Sequence, residues 1–193
     1  MSEKAFTHKL HVRTNEEISF TPETLEKVKG IISHYPEGRQ KSALIPILHI
    51  AQEELGGSLN ADIMDYVAGL LDITPIEVYE VATFYSQFYI DPVGKYVIEV
   101  CQTGPCAICG GEKIIEYLEK KLEIKVGDTT PDNLFTLKTV ECLGACGSAP
   151  VMQVNTEFYE FLDIHKIDEI INDLRSKSKL KKSEKLTWKE RLS

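Results

Sequence analysis

All five cysteines of this 193-residue chain lie between positions 101 and 146, and the first 100 and last 47 residues contain none. Five are too few for a disulfide-stapled scaffold, so clustering of this kind points to shared chemistry. Both groups begin where an apolar, β-branched run ends. KYVIEVC (95 to 101) leads into Cys101, Cys106 and Cys109, and a second run, Phe135 to Glu141, leads into Cys142 and Cys146. Two loops leaving neighbouring strands can present four sulfurs to one point at a sheet edge. The spacing is Cys-x4-Cys, then 35 residues, then Cys-x3-Cys. Four thiolates can hold a 2Fe-2S cluster, a 4Fe-4S cluster or a structural zinc. Zinc sites favour Cys-x2-Cys knuckles, whereas wider gaps wrap a larger object. Gly104, Gly110, Gly111, Gly144 and Gly147 let the backbone approach that object and offer N–H donors to sulfur. An iron-sulfur cluster fits better than zinc.

Between Cys101 and Gly111, and from Cys142 to Val154, no side chain is charged. No cation offsets an electron added there, which favours a low reduction potential, with the Gly N–H groups acting the other way. Two other chemistries compete. Cys106-Ala-Ile-Cys109 spells the Cys-x-x-Cys thiol-redox pattern, but that reading leaves three cysteines unused. A hydrolytic cysteine lacks a partner base, because His165 is the one histidine in the α/β region and opens a helix.

The organisation around the cysteines changes period once. Residues 1 to 18 are a polar arm. Residues 19 to 91 read as a helical domain of four helices. Thr21 is the N-cap of the first, with Pro22 at its first position and Leu25, Val28, Ile31, Ile32 and Tyr35 on one stripe. The second spans Ser42 to Leu55 with Pro46 near its start, and the third runs from Asn60 to about Leu71. The fourth opens on the capping-box spacing Thr74-Pro75-Ile76-Glu77 and continues with Val81, Phe84, Tyr85 and Phe88 at helical spacing. That stripe predicts core packing, with a partner interface as the alternative. After the turn Asp91-Pro92-Val93-Gly94, residues 92 to 175 read β-α-β-β-β-α. The expected strands are 95 to 101, 135 to 141, 151 to 154 and 157 to 161; the helices carry Ile114, Leu118 and Leu122, and Ile164, Ile167, Ile171 and Leu174. This is an α/β arrangement, a small open sheet flanked by helices. Residues 176 to 193 form a basic tail; from Arg175 onward eight Lys or Arg face two Glu, a local charge of +6, with Leu186, Trp188 and Leu192 as apolar anchors.

The net charge of −8 is opposite to what nucleic-acid binding requires. No run of apolar residues is long enough for a membrane span, and the first residues lack a secretory h-region, so direct membrane insertion is not expected and a cytoplasmic location is.

Five motifs in order, ALIPILHIAQEELGG (43 to 57), VATFYSQF (81 to 88), Cys101-Gln-Thr-Gly-Pro-Cys106, GDTTPDNLFTL (127 to 137) and ECLGACGSAPVMQVN (141 to 155), give the chain a resemblance to a known family over residues 20 to 175. It resembles the small 2Fe-2S subunit of the NADH-oxidising module of complex I, the E-subunit family of NADH:quinone oxidoreductase. The resemblance implies a thioredoxin-like 2Fe-2S ferredoxin domain behind a small four-helix unit. It implies one 2Fe-2S cluster with Cys101, Cys106, Cys142 and Cys146 as ligands, and no ligand role for Cys109. It implies as partners a flavoprotein subunit bearing FMN and oxidising NADH, and further iron-sulfur subunits. The chain would then be an electron-carrying subunit of the respiratory chain, accepting single electrons from the flavin with no hydride-transfer site of its own. It would lie in a peripheral arm at the cytoplasmic face of the inner membrane. Equivalent subunits of NAD-linked hydrogenases and formate dehydrogenases share these motifs and are the alternative.

Overall fold

The computed structural model describes residues 18–183, with side chains described to Ser178. The polar arm, apart from Ile18, and the anchors Leu186, Trp188 and Leu192 lie outside the described residues. The chain divides into two compact units between Pro92 and Val93.

The first unit contains α1 (Pro22–Ser33), α2 (Leu44–Glu54), α3 (Ala61–Leu71) and α4 (Pro75–Phe84). Their starts follow from local chemistry. The Thr21 hydroxyl accepts the Thr24 N–H, and the Asn60 side chain accepts the Ile63 N–H, satisfying donors that the helix itself leaves free. At α4 the Thr74 N–H donates to the Glu77 carboxylate at 2.9 Å. A single 3-10 turn, Gln40–Ala43, precedes α2, so Pro46 falls in the first turn of the α-helix, where its missing N–H costs nothing. Leu44, Ile47, Leu48 and Ala51 of α2 meet Ile63, Met64, Val67, Ala68 and Leu71 of α3 in one apolar core, which Val28, Val78, Ala82 and Phe88 complete.

The stripe expected to run from Val81 to Phe88 is interrupted. α4 stops at Phe84 because Tyr85 is extended (φ −89°, ψ 121°). The Gln52 side chain supplies what a longer helix would have: its Nε2 donates to the Gln87 carbonyl, and its Oε1 accepts the Tyr89 N–H at 2.7 Å. The turn returns Phe88 to the core against His49, 5.0 Å between ring centroids. Phe84 (80% exposed) and Tyr85 are left outside, edge to face with one another, contrary to the core packing expected of them.

The second unit is built on a four-stranded sheet in the order β2-β1-β3-β4. β1 (Tyr96–Cys101) and β2 (Phe135–Val140) are parallel, while β3 (Met152–Val154) runs antiparallel to β1 and β4 (Glu157–Tyr159) antiparallel to β3. The crossover from β1 to β2 carries α5 (Gly104–Ile108), a short helix within the segment expected to be loop, and α6 (Gly111–Leu122). The described residues finish in α7 (Ile164–Ser183). Lys and Arg are good helix formers, and cations suit a helix C-terminus, so α7 continues through Arg175 where the composition predicts a separate tail.

Both α6 and α7 pack on the sheet face that carries Ile98, Val100, Phe135, Leu137, Met152 and Val154. Asp168 of α7 takes a hydrogen bond from the Tyr117 hydroxyl and pairs with Lys121, both on α6. The outer edge of β2 is not bare. The segment 127–130 runs along it, with Gly127 N–H to the Leu137 carbonyl (2.7 Å) and Thr130 N–H to the Phe135 carbonyl (2.8 Å), which protects an edge that could otherwise recruit another strand.

Candidate metal centre

Parallel pairing is what brings the two cysteine loops together. Cys101, the last residue of β1, is in register with Val140, the last residue of β2, and Cys142 follows two positions on. Both loops therefore leave the same end of the sheet. They are tied at their roots: Gln102 N–H donates to the Val140 carbonyl at 3.1 Å, and Cys101 N–H to the Val151 carbonyl at 3.2 Å.

α5 then folds Cys106 back beneath the first loop. Cys101, Cys106 and Val151 are buried together, with Leu143, Ala145 and Ala149 packed around them. The start of α6 closes on this loop so tightly that only glycine fits at 111. A Cβ there would lie 2.8 Å from the Cys106 carbonyl oxygen and 3.2 Å from that of Cys101. Cys142 and Cys146 are exposed, their sulfurs 3.6 Å apart. Cys109 is exposed at the end of α5, outside the buried sulfur group.

The polar surroundings of each sulfur are backbone N–H groups and one hydroxyl. Thr103 Oγ1 lies 3.4 Å from Cys101 Sγ, and Gly144 N–H donates to Cys142 Sγ at 3.4 Å. Burial raises the Cys101 thiol, but the hydroxyl and N–H of Thr103, the Leu143 N–H and the Cys106 thiol outweigh it, and Cys101 falls below the ordinary thiol value. Cys106 moves the other way, pushed up by burial and by Cys101 against the opposing Val151 N–H. Cys146 is raised chiefly by its hydrogen bond with Cys142 and by that neighbour's charge, with Cys101 adding to it. Two thiols close enough to share a proton cannot ionise alike, so Cys101 is the first thiolate of its pair.

Of the five glycines expected to serve the loops, Gly144 supplies an N–H to sulfur and Gly111 permits the close approach. Gly104 and Gly110 instead allow positive φ (25° and 98°), and Gly147 has open space around it. The donors at Thr103, Leu143 and Val151 are functional groups that sequence reasoning missed. Only Thr103, a hydroxyl residue two positions after a cysteine, carries a visible signal.

The donor set suits a two-iron cluster. Four cysteine sulfurs, soft donors, stand as two pairs, one buried and one exposed, and charge couples the pairs across the gap, Cys146 acting on Cys106 and Cys101 on Cys146. A tetrahedral ion with metal–sulfur bonds of about 2.3 Å spaces its ligands about 3.8 Å apart. The 3.6 Å between Cys142 and Cys146 matches one edge of such a tetrahedron. Among the described residues no group of three His, Cys, Asp or Glu gathers around a single-ion position.

Comparisons with known proteins give the chain's relatives. The family model for the thioredoxin-like [2Fe-2S] ferredoxin matches residues 28–175. The E subunit of the NADH-quinone oxidoreductase of Rickettsia typhi is 45% identical over 165 residues, which cover 83% of this chain and 97% of that protein. The mitochondrial NADH dehydrogenase [ubiquinone] flavoprotein 2 of Dictyostelium discoideum is 43% identical over 176 residues, 86% of this chain and 71% of that one. Among solved structures, an NAD+-reducing [NiFe]-hydrogenase in the air-oxidised state is similar with a TM-score of 0.62 at 23% identity. That match covers 69% of this chain and 23% of the hydrogenase chain, and it speaks for the fold.

Proposed function

The chain belongs to the thioredoxin-like [2Fe-2S] ferredoxin family, and on that premise we propose that it is the electron-carrying 2Fe-2S subunit of an NADH:quinone oxidoreductase. The observation that carries this is the delivery of two cysteine pairs to one end of a parallel β1–β2 pair, within a chain collinear with nearly the whole of the Rickettsia protein. Cys101 and Cys106 would hold one iron and Cys142 and Cys146 the other. A bound 2Fe-2S cluster supplies a one-electron ferric/ferrous couple, suited to single electrons from a flavin.

The chain's own residues set the conditions for that couple. Burial of Cys101 and Cys106 under Val151, Leu143 and Ala149 keeps water from one side. N–H groups of Leu143, Gly144 and Val151, with the Thr103 hydroxyl, direct partial positive charge at the sulfurs, which stabilises thiolate and favours the more reduced state. The exposed pair is the side open to a partner. That partner is an FMN-bearing, NADH-oxidising flavoprotein subunit, with further iron-sulfur subunits beyond it, and hydride transfer belongs to the flavoprotein. Among the described residues no helix is long and apolar enough to cross a membrane. The place proposed for the chain, by its likeness to the oxidoreductase subunits, is a peripheral arm at the cytoplasmic face of the inner membrane. The hydrogenase alternative rests on likeness of fold at 23% identity, against 45% for the Rickettsia oxidoreductase protein.

Anaerobically purified full-length chain, with iron, sulfide and zinc quantified and EPR recorded before and after dithionite, tests the assignment. Two irons and two sulfides per chain, with a rhombic signal only on reduction, are expected. One zinc and no colour would overturn it.

A further inference from the structure

Cys146 lies in a 3-10 turn, Cys146–Ser148, which follows a loop whose two cysteines are exposed. A turn of three residues has little holding power of its own. What holds it comes from the other side of the β3–β4 hairpin. The Ser148 hydroxyl lies 2.5 Å from Glu160 Oε1 and 3.1 Å from the Ala145 carbonyl. It has one hydrogen, and the shorter contact, to a carboxylate, takes it. The next residue, Phe161, donates its N–H to the Ser148 carbonyl at 2.7 Å, and Leu162 donates to the Pro150 carbonyl at 3.0 Å.

The segment that makes these bonds is itself anchored. The Leu162 side chain is buried in the core with Ile167 and Ile171. Lys166 of α7 donates its ammonium to the Glu160 carbonyl at 2.6 Å, and its N–H to Asp163 Oδ1 at 2.7 Å. Phe161 carries a cost: it is a non-glycine residue at φ +48°, and its ring is 66% exposed. A bulky residue in the left-handed region persists only where its surroundings over-determine it. Here the surroundings are the two bonds that flank it, Glu160 to Ser148 and Leu162 to Pro150. The Glu160 carboxylate and the Phe161 N–H both bond Ser148, the last residue of the cysteine turn.

We propose that Ser148 and Glu160 form a latch that positions the Cys146 turn, setting where its sulfur stands relative to Cys142. Both are positioning residues, acting through Cys146. The proposal rests on the assignment of Cys146 as a ligand for its functional meaning, while the latch itself is a property of the chain.

The test uses full-length chain with Ser148→Ala, Glu160→Ala and Glu160→Gln. The glutamine keeps an oxygen that accepts the Ser148 hydrogen bond, so it separates the bond from the charge. In the metal-free, reduced chain, amide exchange at Phe161, whose N–H is bonded to the Ser148 carbonyl, is followed by mass spectrometry. Both alanine variants should raise its rate about fivefold, consistent with losing a hydrogen bond to a charged group that is partly solvated. Glu160→Gln should stay within about twofold of the wild type. In the cluster-loaded chain the alanine variants should alter the g values of the reduced EPR signal, with the glutamine variant close to wild type. Alanine variants indistinguishable from wild type in the metal-free chain would overturn the latch, and so would a glutamine variant as perturbed as the alanine one. A wild-type chain with no 2Fe-2S cluster would sink the functional assignment instead, and the metal-free rates would still decide the latch.

Discussion

Gly111→Ala sets two known effects against each other at the floor of the metal centre. Replacing a helical glycine by alanine gains up to about 1 kcal/mol of helix propensity. Against this, the new Cβ would stand 2.8 Å from the Cys106 carbonyl oxygen, where ordinary contact begins at 3.4 Å. Backbone must therefore move by about 0.6 Å, and the carbonyl of Cys101, 3.2 Å away, blocks the neighbouring direction. Neither atom is the far end of a flexible side chain. Overpacking of this kind costs about 1–3 kcal/mol, so the net loss should be about 1–2 kcal/mol. For a unit of this size that lowers the melting temperature by roughly 4–16 °C. The displaced carbonyls belong to the two buried cysteines, so the reduced EPR signal should shift as well. The control is Gly30→Ala in α1, where nothing lies within 4 Å of the new Cβ and the helical unit should gain stability. Differential scanning calorimetry of both variants reads the two signs. A Gly111→Ala chain stabilised like Gly30→Ala, with an unchanged EPR signal, would refute the argument that the α6 start clamps the cysteine loop.

Four further outcomes follow from the same structure. Cys142→Ala should abolish the cluster, measured as iron and sulfide per chain, whereas Cys109→Ala should leave it intact; the reverse pattern would reassign the ligands. Phe88→Ala, which empties a buried site against His49, should cost about 3–5 kcal/mol in denaturant unfolding. Phe84→Ala should cost no more than about 0.5 kcal/mol yet weaken co-purification with the flavoprotein, since its ring is 80% exposed. Glu77 is held at about 2, from 4.5, by the Lys41 ammonium 2.8 Å away and by the Thr74 N–H. A depressed carboxyl stabilises the fold above its unfolded value and loses that contribution as the pH falls through 4.5 towards 2. The gap in melting temperature between wild type and Glu77→Gln should therefore close over that range, and a constant gap would contradict the pairing.

What could be read from residues alone was whatever local chemistry decides. Thr21-Pro22, Asn60 and Thr74-Pro75 mark helix starts because their bonds close within three residues. The placement of the two cysteine loops was legible for a topological reason: a strand, a helix and a second strand in one sheet cross over with one hand and end up parallel. Parallel strands end on the same side, so the loops that carry Cys101 and Cys142 leave the same end of the sheet. One misreading has a tertiary cause. The helical stripe through Phe84, Tyr85 and Phe88 obeyed the helical period, and it was broken by Gln52, more than 30 positions away. After Arg175 the composition changes but the element does not, because lysine suits a helix and α7 carries on to Ser183.

The thiolate donors divide along the same line. Gly144 and Thr103, each two positions from the sulfur they address, lay within the loop's own text. Val151 reaches Cys106 only after the chain has passed through β2, Cys142 and Cys146, and Glu160 reaches Ser148 from the far side of a hairpin. The clustering of the cysteines is thus a matter of spacing, while the environment of the sulfurs is a matter of tertiary contacts. Transplanting the cysteine spacing into an unrelated sheet would supply the four thiols without the donors and clamps that orient them. The two units also differ in what they expose. The second leaves a pair of sulfurs open, and the first leaves an edge-to-face aromatic pair that its own core does not use. A carrier built to work within an assembly needs both kinds of surface, one for the electron and one for the grip, and Phe84→Ala tests their separation: co-purification with the flavoprotein should fall while iron and sulfide per chain stay unchanged.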